Sequence, residues 1–211
     1  MHTVLCYGDS NTWGAIPGSE SGRFAPDVRW PGITRARLGA DFEVIENGLN
    51  GRTTTFDYLP RLWRNGKDLL VPVMEISHPL DLVVILLGTN DVSLPYLDVS
   101  DIVRGTGELV SIVRGCDDFG PAGTSPPKVL VVGPHIVGPL SVELRALHEG
   151  AEARSRALTD ALGGYLATIA CDFLDLSEVV QPSAVDPWHW EADGHRAAGE
   201  AIAAKVRLIL T

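Results

Sequence analysis

With 211 residues, 45% of them hydrophobic, the chain is long enough to bury a sizeable core without a covalent staple. Its net charge of -10, from 27 acidic and 17 basic side chains with no Lys/Arg cluster, argues against nucleic acid or an anionic membrane as partner. Cys6, Cys116 and Cys171 lie in or beside apolar runs without short paired spacing, which suggests neither a disulfide framework nor a zinc site. The start of the chain lacks a basic and apolar leader, and no apolar run approaches the ~20 residues of a membrane span. A soluble cytoplasmic protein with free thiols is expected.

Residues 4–7 read as a short buried strand that ends in Gly8-Asp9-Ser10-Asn11-Thr12-Trp13-Gly14. A loop with aromatic residues and charges of both signs follows, and residues 32–38 read as a helix with Pro31 near its first position. Residues 42–46 alternate as a second strand and run into Asn47-Gly48-Leu49-Asn50-Gly51-Arg52-Thr53-Thr54. The spacing predicts a helix over 67–77, interrupted at Pro72. Residues 80–87 are apolar almost throughout and rich in Val and Ile, as a central parallel strand must be when both its faces are covered. This strand ends in Gly88-Thr89-Asn90-Asp91.

Ser100 is placed to cap a helix with Ile102, Leu109, Ile112, Val113 and Cys116 on its apolar face, a pattern that Gly105 and Gly107 weaken. A Gly/Pro-rich loop over 117–127 leads to a fourth strand at 129–132. Residues 141–164 carry leucines at helical spacing, broken or bent near Gly150, and residues 167–173 read as a fifth strand. After a loop over 183–191, residues 193–210 form a closing helix. Strand and helix alternate throughout, which predicts one doubly wound α/β sheet covered on both faces. No repeat or linker divides the chain, so a single domain over 1–211 is expected.

Open sheets of this kind bind ligands at the carboxyl ends of their strands, and three such ends carry polar, glycine-flanked residues. Ser10 is the candidate nucleophile, and it needs a base because a hydroxyl is a poor nucleophile at neutral pH. Of six histidines, His189 in Asp186-Pro187-Trp188-His189 has an acid at a spacing that orients the ring and leaves its other nitrogen free. His195 is the rival, but it opens the last helix with Asp193 placed as a cap, so a structural role is expected. His135, just after the fourth strand, is a candidate to line the pocket. The N–H groups of Ser10 and Gly51 and the side-chain amide of Asn90 are candidate donors to an oxyanion. Trp13, Trp188 and Trp190 flank these blocks and are expected to wall the pocket.

Gly8-Asp9-Ser10, the turn ending at Gly51, Gly88-Thr89-Asn90-Asp91 and Asp186-Pro187-Trp188-His189 occur in an order that resembles the SGNH (GDSL-type) hydrolase family. The stretches Arg23-Phe24-Ala25-Pro26-Asp27-Val28-Arg29-Trp30, Gly51-Arg52-Thr53-Thr54 and Lys128-Val129-Leu130-Val131-Val132 look like its bacterial arylesterase and acyltransferase branch. The resemblance implies a three-layer αβα flavodoxin-like fold with a parallel five-stranded sheet. It also implies a cofactor- and metal-free Ser-His-Asp mechanism on short-chain acyl esters, and homo-oligomers whose contacts narrow the site.

Where the family commonly has Leu after the nucleophile, this chain has Asn11. There it is expected to touch substrate with Trp13 and Trp188, favouring a polar acyl or alcohol group, or hydrolysis over transfer. Two other readings start from the same strand ends. One is an aspartyl phosphatase using Asp9, for which Asn11 stands where a second acid is wanted. The other is a flavodoxin-like module that binds a small ligand without turning it over.

Overall fold

The computed structural model describes residues 1–58 and 61–211. The strands are β1 (His2–Gly8), β2 (Phe42–Gly48), β3 (Leu82–Leu86), β4 (Lys128–Gly133) and β5 (Asp172–Asp175). The helices are α1 (Ser10–Trp13), α2 (Trp30–Leu38), α3 (Gly66–Ser77), α4 (Thr89–Val92), α5 (Val99–Arg114), α6 (Val142–Leu147), α7 (Ala151–Thr168) and α8 (Ala192–Leu210). The strands form one parallel sheet in the order β2-β1-β3-β4-β5. All five carboxyl ends therefore share one edge, and the chain reverses its direction of winding between β1 and β3.

The near-continuous apolar strands have a direct cause, since alternate side chains enter two separate cores. Leu5, Tyr7, Val83, Ile85, Val129 and Val131 pack with residues of α3, α5 and α7. Val4, Cys6, Val84, Leu86, Leu130 and Val132 pack with Trp30, Leu38, Ala198, Ile202 and Val206 of α2 and α8 on the other face. Each fully buried Val or Leu contributes about 1.5 to 3 kcal/mol relative to exposure. The result is the three-layer αβα arrangement.

Four local expectations change. The helix α3 runs unbroken through Pro72, whose missing N–H removes one helical bond. Asp98, not Ser100, caps α5, in a reciprocal capping box with Asp101. Gly105 and Gly107 belong inside α5 because a Cβ at Gly105 would lie 2.7 Å from the hydroxyls of Thr54 and Thr55, and one at Gly107 2.3 Å from that of Tyr165. Close packing outweighs the helix cost of glycine there. Lastly, α7 extends to Thr168, so β5 starts at Asp172 rather than 167. Leu158, Leu162 and Leu166 form one buried helical face, and that face overrides the strand pattern.

Candidate active site

Ser10 opens α1 directly after β1, where the Asp9 carboxylate caps the turn by accepting a 2.9 Å hydrogen bond from the Asn11 N–H. The turn lies against β2, since a Cβ on Gly48 would come within 2.1 Å of the Trp13 nitrogen. Gly14 closes it in the left-handed conformation. Beneath it, the Arg52 guanidinium donates to the Gly8 and Asn47 carbonyls and to the Asn47 side chain, and stacks 4.0 Å over the Tyr7 ring. This arginine ties the ends of β1 and β2 together.

His189 comes back to the same edge from the loop before α8. Its Nε2 is 3.0 Å from the Ser10 Oγ, and its Nδ1 is 2.5 Å from the Asp186 Oδ2. A carboxylate only accepts, so Nδ1 carries the ring proton and Nε2 is left to accept from the serine hydroxyl. Burial acts to raise the Asp186 carboxyl, but the bond to His189, the charge of that ring and the N–H groups of Trp188 and Gly18 outweigh it and hold the carboxyl below its ordinary range.

A cavity of about 280 Å³ opens over this pair, lined by Ser10, Ala15, Ser19, Glu20, Asn50, Gly51, Tyr58, Arg61, Asn90 and His189. Gly51 sits at φ +81, which suits a glycine. The Asn90 amide donates to the Arg52 carbonyl at 2.9 Å, and this bond orients the amide and takes up one of its two hydrogens. The next residue, Asp91, is fully buried and accepts from the N–H and hydroxyl of Thr54, which joins the β3 end to the segment after Gly51. Burial pushes both Asp9 and Asp91 up to about 6.

Other candidates lie elsewhere. None of Asn11, Trp13 and Trp188 lines the cavity. Asn11 is 1% exposed and points inward to the Trp188 carbonyl. The Arg23 guanidinium covers Trp13 at 4.9 Å, and Trp188 packs edge-on to His148. Trp190 is wholly buried and donates to Nδ1 of His135 at 2.8 Å, so both belong to the core. His195 is also wholly buried, edge-on to Phe24 and Trp190, with neither ring nitrogen partnered among the described residues. Burial lowers both of these histidines to about 4, so they are neutral near pH 7. The α8 cap is Glu191, while Asp193 lies within the first turn. Tyr58 and Arg61 were not anticipated, because they come from a loop whose course no local pattern specifies.

A serine-bearing turn after β1 that meets a histidine-bearing loop before the last helix, at the carboxyl edge of a 2-1-3-4-5 sheet, is the arrangement of the SGNH class of hydrolase. The family model of GDSL-like lipases and acylhydrolases matches residues 6–197, and the chain belongs to that family. Among solved structures, the native aryl esterase of M. smegmatis is 38% identical over 100% of both chains, with a TM-score of 0.93. Est24, a carbohydrate acetylesterase from Sinorhizobium meliloti, is 32% identical over 100% of both chains, with a TM-score of 0.94. A further carbohydrate acetylesterase family member from Sinorhizobium meliloti is 36% identical over 100% of this chain and 99% of its own, with a TM-score of 0.91. Among curated proteins none matches significantly. Family and neighbours together support an esterase.

Proposed function

We propose that the chain is a serine esterase acting on short-chain acyl esters of aryl or carbohydrate alcohols. The observation that carries this reading is the unbroken hydrogen-bond series Ser10–His189–Asp186 at the floor of a cavity. Ser10 Oγ attacks the ester carbonyl while its proton passes to His189 Nε2, and Asp186 stabilises the imidazolium that results. The tetrahedral oxyanion is received by the N–H groups of Ser10 and Gly51 and by the Asn90 amide, where one donor is worth about 2.7 to 4 kcal/mol. His189 then returns the proton to the leaving alcohol as the carbon–oxygen bond breaks. Water activated by the same ring attacks the acyl-Ser10 carbonyl, releasing the acid and restoring Ser10. An alcohol taking the place of that water would give acyl transfer.

A cavity of about 280 Å³ suits a small acyl group, and its polar rim of Ser19, Glu20, Asn50 and Arg61 suits a hydroxylated leaving group. The test is hydrolysis of p-nitrophenyl acetate at neutral pH by the wild type and by Ser10→Ala, both checked for folding. Activity in the wild type and a loss of several orders of magnitude in the variant is expected. Equal rates in the two proteins would remove Ser10 from the chemistry, and ligand binding without turnover would favour a binding module.

A further inference from the structure

The loop that carries His189 contains neither helix nor strand between β5 and α8, so its position depends on what holds its backbone. Gly138 N–H donates to the Pro187 carbonyl at 3.0 Å, and Ser183 N–H to the His189 carbonyl at 2.8 Å. Trp188 N–H turns back to Asp186 Oδ1 at 2.8 Å. A further bond is of another kind, because the Asn11 side-chain Nδ2 donates to the Trp188 carbonyl at 3.0 Å across 177 positions of sequence.

Asn11 follows the nucleophile and Trp188 precedes the base. The bond between them closes a ring whose opposite side is the 3.0 Å contact of Ser10 Oγ with His189 Nε2. A carbonyl oxygen can only accept, which settles the amide orientation. The Asn11 Oδ1 is then buried without a partner among the described residues, an unfavourable state that an apolar side chain would not incur. In addition, the Asn11 backbone N–H is already held by Asp9 Oδ1 at 2.9 Å. Both ends of the side chain's reach are therefore fixed.

We propose that Asn11 is a positioning residue whose amide holds the Trp188 carbonyl and thereby sets the separation and alignment of Ser10 and His189. This rests on the serine esterase reading above. Asn11 lies outside the cavity lining, so its contribution falls on the proton transfer and not on substrate binding. A misplacement of about 1 Å between reacting groups is enough to cost about 100-fold in rate.

The test compares Asn11→Leu and Asn11→Asp with the wild type and Ser10→Ala on p-nitrophenyl acetate, with active sites counted by a fluorophosphonate titrant and unfolding followed by heating. Leu has the heavy-atom count and branching of Asn, with somewhat more bulk, and no donor. Asp keeps the shape and presents an oxygen where the donor stood, so it serves if the Leu variant fails to fold. The expected result is a kcat per titrated site about 10- to 100-fold lower in both variants, with KM within about twofold of wild type and little change in Tm for the Leu variant. The proposal is overturned by wild-type kcat per titrated site, or by a loss carried in KM, which would put Asn11 against the substrate. Failure of the esterase reading itself is separate, because it would appear as undiminished hydrolysis by Ser10→Ala whatever the Asn11 variants do.

Discussion

Ser10 and His189 meet at 3.0 Å, yet their supports are built from different interactions. Ser10 is carried by β1, which is paired along its length with β2 and from Val4 to Gly8 with β3, and by a capped helical turn resting on Gly48. His189 is carried by irregular chain, held by hydrogen bonds arriving from the β1 and β4 ends and from within its own loop. A strand in the middle of a sheet moves only with the sheet, whereas a loop pinned by individual bonds moves when one of them is lost. The His189 side is therefore where a single substitution has most scope to change the geometry without unfolding the protein.

The largest effect expected on that side comes from Asp186→Asn. An amide there can donate to the ring and select the wrong tautomer, leaving Nε2 protonated and unable to accept from Ser10. A fall of about four orders of magnitude in kcat is expected, with Tm and overall circular dichroism near wild type. A loss of less than tenfold would mean that Asp186 does not orient the ring.

A smaller effect belongs to the buried histidines. His195 has a folded value near 4 against about 6.5 in an unfolded chain. It therefore contributes stability that is present above about pH 6.5 and is lost as pH falls toward 4. Asp9 and Asp91, near 6 when folded against about 3.9 unfolded, act with the opposite sign and add stability as pH falls through about 6. The two sets partly offset each other in the wild type. Replacing the imidazole by His195→Phe removes that histidine's share of the balance and leaves the share of His135, so relative to wild type the variant should gain roughly 2 to 3 kcal/mol between pH 7 and pH 4.5. Urea unfolding at the two pH values measures this, and an unchanged difference between the two proteins would contradict it.

The same contrast explains what could be read from the chain alone. Ser10, Gly51 and Asn90 lie at strand ends marked by glycine, and the strands before them are recognisable by their apolar runs. His189 stands three residues after Asp186, a spacing within one turn. These are local signals, and the structure brings the residues they mark to one edge of the sheet. The Asn11 amide, the Gly18 N–H that meets Asp186 and the Trp190–His135 bond join positions far apart in sequence. Nothing near Asn11 tells whether its side chain turns to solvent, substrate or protein, and the expectation that it faces substrate followed only from its place beside the nucleophile. Gly105 and Gly107 are similar, since their value lies in the hydroxyls of Thr54, Thr55 and Tyr165 on other elements. Where the fifth strand begins was likewise decided by packing of the α7 face, not by the residues at 167–171.

The central claim is that His189 makes Ser10 a nucleophile, and covalent labelling tests it most directly. The wild type and His189→Ala would be exposed to a fluorophosphonate at neutral pH, digested and read by mass spectrometry for the site and rate of modification. One phosphonyl group per wild-type chain is expected, on the peptide containing Ser10, with labelling slower by about three orders of magnitude or more in the variant. Modification at another residue, or equal labelling of Ser10 in both proteins, would contradict it.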